Sequence, residues 1–315
     1  MRPAAARALV AAAMSPFTTK RLYIIRHGQA AHNPRAEKAR AEGCSHDEFL
    51  EIMRQDDCLD APLTKLGIEQ AKEGQARYGQ LLQDVQLVVS SPLSRALQTA
   101  DAILPPSTPS RDPFDAAHST AGSQSPACDH ARSFATSSSP GVDLVVEPKR
   151  LVMESLREVN GWLLNAKRKS RNDLEKEFPP SWDFSELENE DSLWTNELES
   201  QPECAERGYL SLLSLAERSE QIMVVVSHGG LLRFTMNMHP NVGVRDGRSG
   251  SGGDVGEGAG DVRCSKSRFG NCEVRAYELD LVFDDNIEGD IDVQKLRPNV
   301  VLTEIDLDGV ESDLK

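Results

Sequence analysis

The sequence lacks any organised pattern of cysteines. Its six cysteines are scattered over 315 residues, and no two of them form a Cys-x-x-Cys pair. Disulfide frameworks and structural zinc sites need closely arranged cysteines, so neither is expected. Long apolar runs are also missing, since none approaches the roughly 20 residues that span a bilayer. These absences predict a protein of a reducing compartment with no membrane-spanning segment.

Positive charge is scarce as well. The 35 lysines and arginines are outnumbered by 50 aspartates and glutamates, which gives a net charge of −15 and a pI near 5.0. The resulting field repels polyanions and argues against a general nucleic-acid binder or a protein that binds anionic membranes. Any phosphate group that the protein binds must therefore be held by donors close to it. The hydrophobic content of 39% is sufficient for a substantial core.

Three stretches stand apart from the periodic part of the chain. Residues 105–141 are rich in Ser, Pro and Ala, and residues 246–260 in Gly, Ser and Asp, so both are interpreted as low-complexity insertions. Residues 1–19 contain arginines and no acidic residue, as organelle transit peptides do, but little serine. We predict a disordered extension and a cytoplasmic protein, with targeting to a plastid or mitochondrion as the alternative. Residues 20–315 are predicted to form a single domain.

Predicted strands and helices alternate along the rest of the chain. Short β-branched and apolar runs predict strands at residues 21–25, 86–90, 143–147, 221–226 and 272–279. Apolar residues at helical spacing predict helices at 64–82 and 93–103. The acidic stretch 183–206 is interpreted as a solvated face or a lid. The alternation indicates a layered α/β fold.

Two histidines follow predicted strands, and each precedes a glycine. His27 follows the strand at 21–25 and His228 the strand at 221–226, and a glycine lets the backbone come close to a ligand. The strand at 86–90 leads into a loop that contains Arg95, while Arg26 stands beside His27. Strand ends of α/β sheets often carry chemistry. Here the ends of three predicted strands carry two histidines and two arginines. This combination predicts a site for a phosphate monoester.

The order of these residues resembles the signature of the phosphoglycerate mutase-like histidine phosphatases. The resemblance covers about residues 20–235. Within this family, the chain is similar in particular to phosphoglycerate mutase-like proteins of plants, algae and fungi. The resemblance implies a three-layer α/β/α sandwich with a mostly parallel central sheet. The segments that carry it are Arg26-His27-Gly28 with Asn33, Leu63 to Gly67 with Gln70-Ala71, Ser90 to Arg95 with Gln98 to Ala100, Ser227 to Gly230, and, for the narrower group, residues 156–158, 178–184, 191–194 and 269–273.

The resemblance implies that His27 is the nucleophile. A phosphomonoester dianion repels nucleophiles, so matched donors must hold it before any attack. Arg26 and Arg95 suit this role, because guanidinium groups make two-point contacts with phosphate oxygens. His27 attacks as a neutral imidazole, and its other ring nitrogen is expected to donate to a backbone carbonyl near Gly28.

Further donors complete the predicted phosphate cradle. His228 adds one donor, and Asn33 adds another together with loop N–H groups such as that of Gly229. A zinc site on the two histidines is not expected, because no nearby cysteine or His-Glu-x-x-His pattern is present. No metal and no cofactor are implied.

Two-step hydrolysis also needs a group that protonates the departing alkoxide and then takes a proton from water. In the family this acid lies in a Leu-x-Glu context after the third strand, which Leu156-Arg157-Glu158 matches. Glu158 is the predicted acid, and Glu154, four residues earlier on the same possible helical face, is its competitor. Relatives tend to carry a histidine after this glutamate where this chain has Val159, so the substrate contact beside the acid is not carried over. His32 is predicted to face solvent.

These assignments predict a phosphomonoesterase that acts through a phosphohistidine on a small phosphorylated metabolite or a phosphoprotein. A phosphoglycerate mutase is the second hypothesis, because Gln29 to His32 depart from the Glu-Ser-x-Trp that follows Arg-His-Gly in typical mutases. A catalytically weak interaction protein is the third, and the presence of every catalytic group argues against it. No nucleic-acid or membrane partner is predicted, and the oligomeric state is left open.

Overall fold

The computed structural model describes residues 19–55, 58–106, 147–247, 268–283 and 297–307. Residues 1–18 of the N-terminal extension lie outside these ranges. So do nearly all of the predicted insertions at 105–141 and 246–260, and all but the last residue of the predicted strand at 143–147. No helix within the described ranges is both long and apolar enough to cross a membrane.

One sheet of eight strands runs through the described structure. The strands are β1 (Lys20–Arg26), β2 (Leu87–Ser90), β3 (Lys149–Val152), β4 (Trp182–Asp183), β5 (Ile222–Ser227), β6 (Val242–Asp246), β7 (Val274–Val282) and β8 (Asn299–Ile305). Their order across the sheet is β4-β3-β2-β5-β1-β7-β8-β6. Neighbours from β4 to β1 are parallel, as are β8 and β6, whereas β7 pairs antiparallel with β1 and β8. The mostly parallel sheet predicted above is confirmed.

Helices cover both faces of this sheet. They are α1 (Asn33–Ala41), α2 (His46–Arg54), α3 (Lys65–Tyr78), α4 (Ser94–Ile103), α5 (Arg171–Glu177), α6 (Gln201–Ala216) and α7 (Gly229–Met238). One apolar cluster joins the sheet to α6 and α7, and a second joins it to α3, α4 and α5. The three-layer α/β/α arrangement is therefore confirmed.

The central strand β1 shows why these residues form a buried strand. Successive side chains of a strand point to opposite faces, and Leu22 and Ile24 enter one cluster while Tyr23 and Ile25 enter the other. A strand covered on both faces needs a continuous apolar run, which this segment provides.

Two predicted elements differ in their bounds. The helix predicted at 64–82 begins as expected, with Thr64 Oγ1 accepting from the Gly67 N–H at 3.0 Å, but ends at Tyr78. The strand predicted from Cys272 begins only at Val274, because Cys272 has a φ of 55°, which no strand accommodates. The strands β3, β4, β6 and β8 were not predicted, since the third predicted strand, at 143–147, does not overlap β3.

Candidate active site

Three parallel strands end at the same edge of the sheet. Arg26 at the end of β1 pairs with Ser227 at the end of β5, and Ser90 at the end of β2 pairs with Val226. The side chains that follow these strands therefore meet. This register brings together the two histidines and two arginines that the sequence singled out.

A cavity of about 540 Å³ opens at this edge. Its wall includes Arg26, His27, Asn33, Glu158 and Gly229. Arg95 and His228 are not among the lining residues, and both are fully buried.

The backbone holds His27 in one tautomer. Its Nδ1 lies 2.6 Å from the Gly28 carbonyl oxygen, which can only accept, so Nδ1 carries the ring proton. The other nitrogen, Nε2, keeps its lone pair and accepts from Arg95 Nε at 3.3 Å. Burial, followed by the charges of Arg95 and Arg26, holds the pKa of His27 well below its ordinary value. The ring is a neutral imidazole whose basic atom is Nε2.

Gly28 allows the loop after β1 to lie against the start of α3. A Cβ at this position would stand 2.6 Å from the Gly67 carbonyl oxygen and 3.1 Å from Cys272 Sγ. The Gly28 N–H also donates to Thr99 Oγ1 on α4 at 3.1 Å. A side chain here would push the loop, and His27 with it, away from both helices.

His228 is a buried histidine beside the nucleophile. Its ring lies 4.9 Å from the His27 ring, and its Nε2 lies 2.7 Å from Ser91 Oγ. That oxygen also accepts from the Leu93 N–H, and because a hydroxyl group can both donate and accept, the contact fits a ring proton on either nitrogen. The Nδ1 atom of His228 has no partner among the described residues. Burial, and then the charge of Arg95, holds the pKa of His228 well below its ordinary value.

Each of the two arginines keeps a donor without a protein partner. Arg95 Nη1 donates to the Asn165 carbonyl at 2.7 Å, and Arg26 Nη1 donates to the Phe269 carbonyl at 2.8 Å. Arg95 Nη2 and Arg26 Nε are buried with no partner in the described structure. Burial lowers the pKa of Arg95 to about 10, and the charge of Glu158 is the largest opposing influence. Arg95 therefore stays charged at neutral pH.

Asp60, which was not predicted from the sequence, fixes the start of α4. Its carboxylate accepts from the Ser94 N–H at 2.8 Å and from the Ser94 hydroxyl at 2.7 Å. Burial raises the pKa of Asp60 above its ordinary value. Because Ser94 precedes Arg95, this contact sets the position from which the arginine reaches His27.

The structure separates the two candidate acids. The Glu158 carboxylate, in the cavity wall, accepts from the N–H groups of Gly230 and Leu231 at the start of α7, at 3.2 and 3.1 Å. Glu154 does not line the cavity and pairs with Arg157 and Arg168, at 2.9 Å in each case. The expected shared helical face is absent, because the chain forms only a short 3-10 turn over Glu154–Leu156.

A second unpredicted residue, Arg207 on α6, holds the segment that carries Glu158. Its guanidinium donates to the carbonyl oxygens of Ser155, Arg157 and Glu158 at 2.7, 2.9 and 3.1 Å. It also pairs with Glu199 at 2.6 Å. No sequence pattern marks this arginine, because its partners are backbone carbonyls some 50 residues earlier.

The prediction that His32 faces solvent is wrong. His32 is only 8% exposed, it lines the cavity, and its ring lies 6.2 Å from the His27 ring. Asn33 Nδ2 donates to His32 Nε2 at 3.2 Å, so Nδ1 carries the proton and is buried without a partner in the described structure. Asn33 Oδ1 accepts from the Ala30 N–H at 2.8 Å and is thus engaged in holding the loop. Its position between His27 and Asn33 was the signal that could have identified His32.

Comparison with known proteins shows the family to which the chain belongs. A family model described as the histidine phosphatase superfamily (branch 1) matches residues 22–110. The phosphoglycerate mutase-like protein 1 of Arabidopsis thaliana is 33% identical over 234 residues, which cover 71% of this chain and 74% of the relative. The chain belongs to the histidine phosphatase superfamily.

Two further proteins are similar to this chain. A second phosphoglycerate mutase-like protein of Arabidopsis thaliana is 31% identical over 217 residues, which cover 68% of this chain and 72% of the relative. The solved structure of a mycobacterial glucosyl-3-phosphoglycerate phosphatase is 17% identical, with a TM-score of 0.38 and coverage of 91% of this chain and 100% of that chain. The plant relatives confirm the phosphoglycerate mutase-like branch, and with it phosphoryl-transfer chemistry in general.

Proposed function

We propose that this histidine phosphatase is a phosphomonoesterase that acts through a phosphohistidine at His27. Three buried nitrogen atoms that have no partner among the described residues carry the proposal: Arg26 Nε, Arg95 Nη2 and His228 Nδ1, to which the proposal assigns the ring proton. Leaving a buried donor unpaired costs about 1–3 kcal/mol. A phosphate dianion offers oxygens to all three, and charged guanidinium donors bind it more strongly than neutral groups do.

The reaction proceeds in two displacements. Phosphate oxygens replace the 3.3 Å contact between Arg95 Nε and His27 Nε2, and the freed Nε2 lone pair attacks phosphorus. The bond from phosphorus to the ester oxygen breaks, and Glu158 gives its proton to the departing alkoxide. Water then attacks the phosphohistidine, its proton returns to Glu158, the P–N bond breaks and phosphate leaves. Both arginines stabilise the charge on the equatorial oxygens throughout.

The proposed partner is a small phosphorylated metabolite or a phosphoprotein, and no metal or cofactor is needed. The imidazole supplies the nucleophile and the guanidinium groups supply the positive charge, which are the two functions that a metal would otherwise provide.

Turnover of p-nitrophenyl phosphate tests the proposal. The wild-type protein should release nitrophenol and phosphate in the presence of a metal chelator, and His27→Ala should abolish release. No release at any pH from 4 to 8 would contradict the phosphatase assignment. The names of the plant relatives point to the alternative of mutase-type transfer, which predicts conversion of 3-phosphoglycerate to its 2-isomer without free phosphate.

Localisation stays a prediction. A fluorescent reporter fused to residues 1–19 should be diffuse in the cytoplasm, whereas import into plastids or mitochondria would favour the targeting alternative.

A further inference from the structure

The cavity carries more positive charge than one phosphate group needs. Besides Arg26, its wall contains Arg40 on α1, Arg233 on α7 and Arg268 shortly before β7. These three residues are called the outer arginines below. They belong to a chain of net charge −15, in which carboxylate partners are plentiful.

The outer arginines nevertheless form no ion pair with the described residues. Several buried or half-buried arginines elsewhere are paired, as in Arg150 with Asp101 at 3.1 Å and Arg207 with Glu199 at 2.6 Å. Arg35 on α1 also lacks an ion pair among the described residues and is exposed, as Arg40 and Arg268 are, but it stands outside the cavity. Three arginines that share one cavity wall without a carboxylate partner form a local positive field.

Neither of the two carboxylates that the described residues contribute to the cavity wall forms an ion pair with an outer arginine. Glu199 is paired with Arg207, while Glu158 is held by backbone N–H groups. Burial and then Arg268 lower the pKa of Arg233, and the same two causes come first for Arg40, with Glu158 as an opposing charge in each case. The outer arginines therefore repel one another, and an added anion would relieve that repulsion.

His32 connects the outer arginines with the phosphate cradle. Its Nδ1 is buried without a partner in the described structure. After burial, the charges that lower its pKa are those of Arg95, Arg26 and Arg40, and His32 lines the same cavity as Arg26 and Arg40. A ligand that spans both groups of arginines passes this donor.

Part of the cavity wall is apolar. Phe49 and Met53 of α2 and Phe234 of α7 line it, and the Arg40 guanidinium stacks over the Phe49 ring at 4.3 Å, which holds it in place. The volume of about 540 Å³ lies in the range of pockets for small organic molecules. The cavity is thus larger than a phosphate group requires.

We propose that the outer arginines form a second anion subsite, and that the substrate carries a second anionic group, a carboxylate or a phosphate, joined to the reacting phosphate by a short carbon spacer. The inference rests on the proposed phosphatase function and defines its substrate class. Arg26 and Arg95 hold the phosphate that reacts, the outer arginines hold the group that does not, and the spacer lies against the apolar wall.

Matched esters test this subsite. One series has a three-carbon spacer (glycerol 3-phosphate, 3-phosphoglycerate and glycerol 1,3-bisphosphate), and the other a benzene ring (phenyl phosphate, 4-carboxyphenyl phosphate and 1,4-phenylene bisphosphate). In at least one series the second anion should raise kcat/KM about tenfold or more. The second anion, carboxylate or phosphate, that gives the larger increase in kcat/KM is the group that the subsite prefers. No gain in either series would overturn the proposal.

Variants separate the subsite from general charge effects. Arg40→Gln and Arg233→Gln should each reduce the ratio of kcat/KM for the two-anion ester to that for its one-anion partner by about tenfold. Arg35→Gln, on the same helix as Arg40 but outside the cavity, should change this ratio less than about twofold. A ratio that is unaffected in both subsite variants would contradict the subsite while leaving the phosphatase function intact.

Binding distinguishes the two proposals if no ester is hydrolysed. In that case the phosphatase function fails, and calorimetric titration with the same esters still tests the subsite. Tighter binding of the two-anion esters, lost in Arg40→Gln and Arg233→Gln, supports it, and equal binding of one-anion and two-anion esters overturns it.

Discussion

At the scale of single residues, the site combines neutral histidines with unneutralised arginines. Burial and the nearby arginines keep His27, His32 and His228 uncharged, since each has a pKa well below its ordinary value. A histidine nucleophile needs this condition, because only the neutral ring has a lone pair to attack with. The same cations that hold the phosphate therefore also keep the nucleophile ready.

The state of His27 can be observed directly. Because its pKa is lowered, the folded ring should remain neutral, with the proton on Nδ1, as the pH falls through 6.5, where an ordinary histidine is half protonated. Long-range proton–nitrogen NMR of the ligand-free protein reports both charge and tautomer, and the urea-unfolded chain supplies the ordinary reference. A folded-state midpoint at or above pH 6.5, or a proton on Nε2, would contradict the assigned roles.

Esters with poor and good leaving groups distinguish the roles of Glu158 and Glu154. Glu158→Gln removes the proposed acid and should reduce kcat/KM about 100-fold or more for an alkyl phosphate but much less for p-nitrophenyl phosphate, whose phenolate departs without a proton. Glu154→Gln is the control, because it breaks ion pairs with buried arginines outside the cavity. That variant should lower the melting temperature and affect both esters alike. Leaving-group dependence in Glu154→Gln instead would reverse the assignment.

At the scale of elements, the ends of the strands and the start of α7 assemble the site. Glu158 comes from an irregular segment, and it is fixed by the first N–H groups of α7 and by Arg207 of α6. The position of the Glu158 carboxylate depends on the absence of a side chain at Gly230. A Cβ there would collide with Glu158 Oε1 and would stand 2.9 Å from Val159 Cγ2.

Gly230→Ala should therefore displace the acid without weakening the helix. Alanine is about 1 kcal/mol better than glycine inside a helix, so a loss of activity cannot be ascribed to a poorer α7. We expect kcat/KM to fall about tenfold or more, with the largest loss on alkyl phosphates. Gly243→Ala on β6, where an added Cβ meets nothing within 4 Å, is the matched control. Full activity of Gly230→Ala would contradict the proposed positioning of Glu158.

At the scale of the whole molecule, the sequence predicts the inner part of the fold better than its edges. The strands that precede His27 and His228 are buried on both faces and are clear apolar runs, and they were predicted to within one or two residues. The edge strands β4 and β6 were missed because the first has two residues and the second is largely exposed. β8 was missed although its run of Val300, Val301 and Leu302 is buried.

Contacts that are distant in sequence explain the remaining differences. The acidic stretch 183–206 was interpreted as a solvated face or a lid, yet Asp191 is the buried partner of Arg157 and Glu199 the partner of Arg207. Asp60 supports Arg95 from another loop. Arg157 and Asp191 lie in segments that carry the family resemblance, but no motif or periodicity marks them, or the other residues, as partners. Each pairing depends on how the loops fold over the sheet edge.

Trapping the covalent intermediate tests the central claim most directly. Glu158→Gln should slow the attack of water, so a rapid acid-free quench after mixing with a radiolabelled phosphate ester that has a good leaving group should leave label on the protein. The label should be acid-labile and base-stable, as a P–N bond is, should map to the peptide that contains His27, and should be absent from a protein that also carries His27→Asn. Label on His228, or turnover with no label on any histidine, would contradict a phosphohistidine at His27.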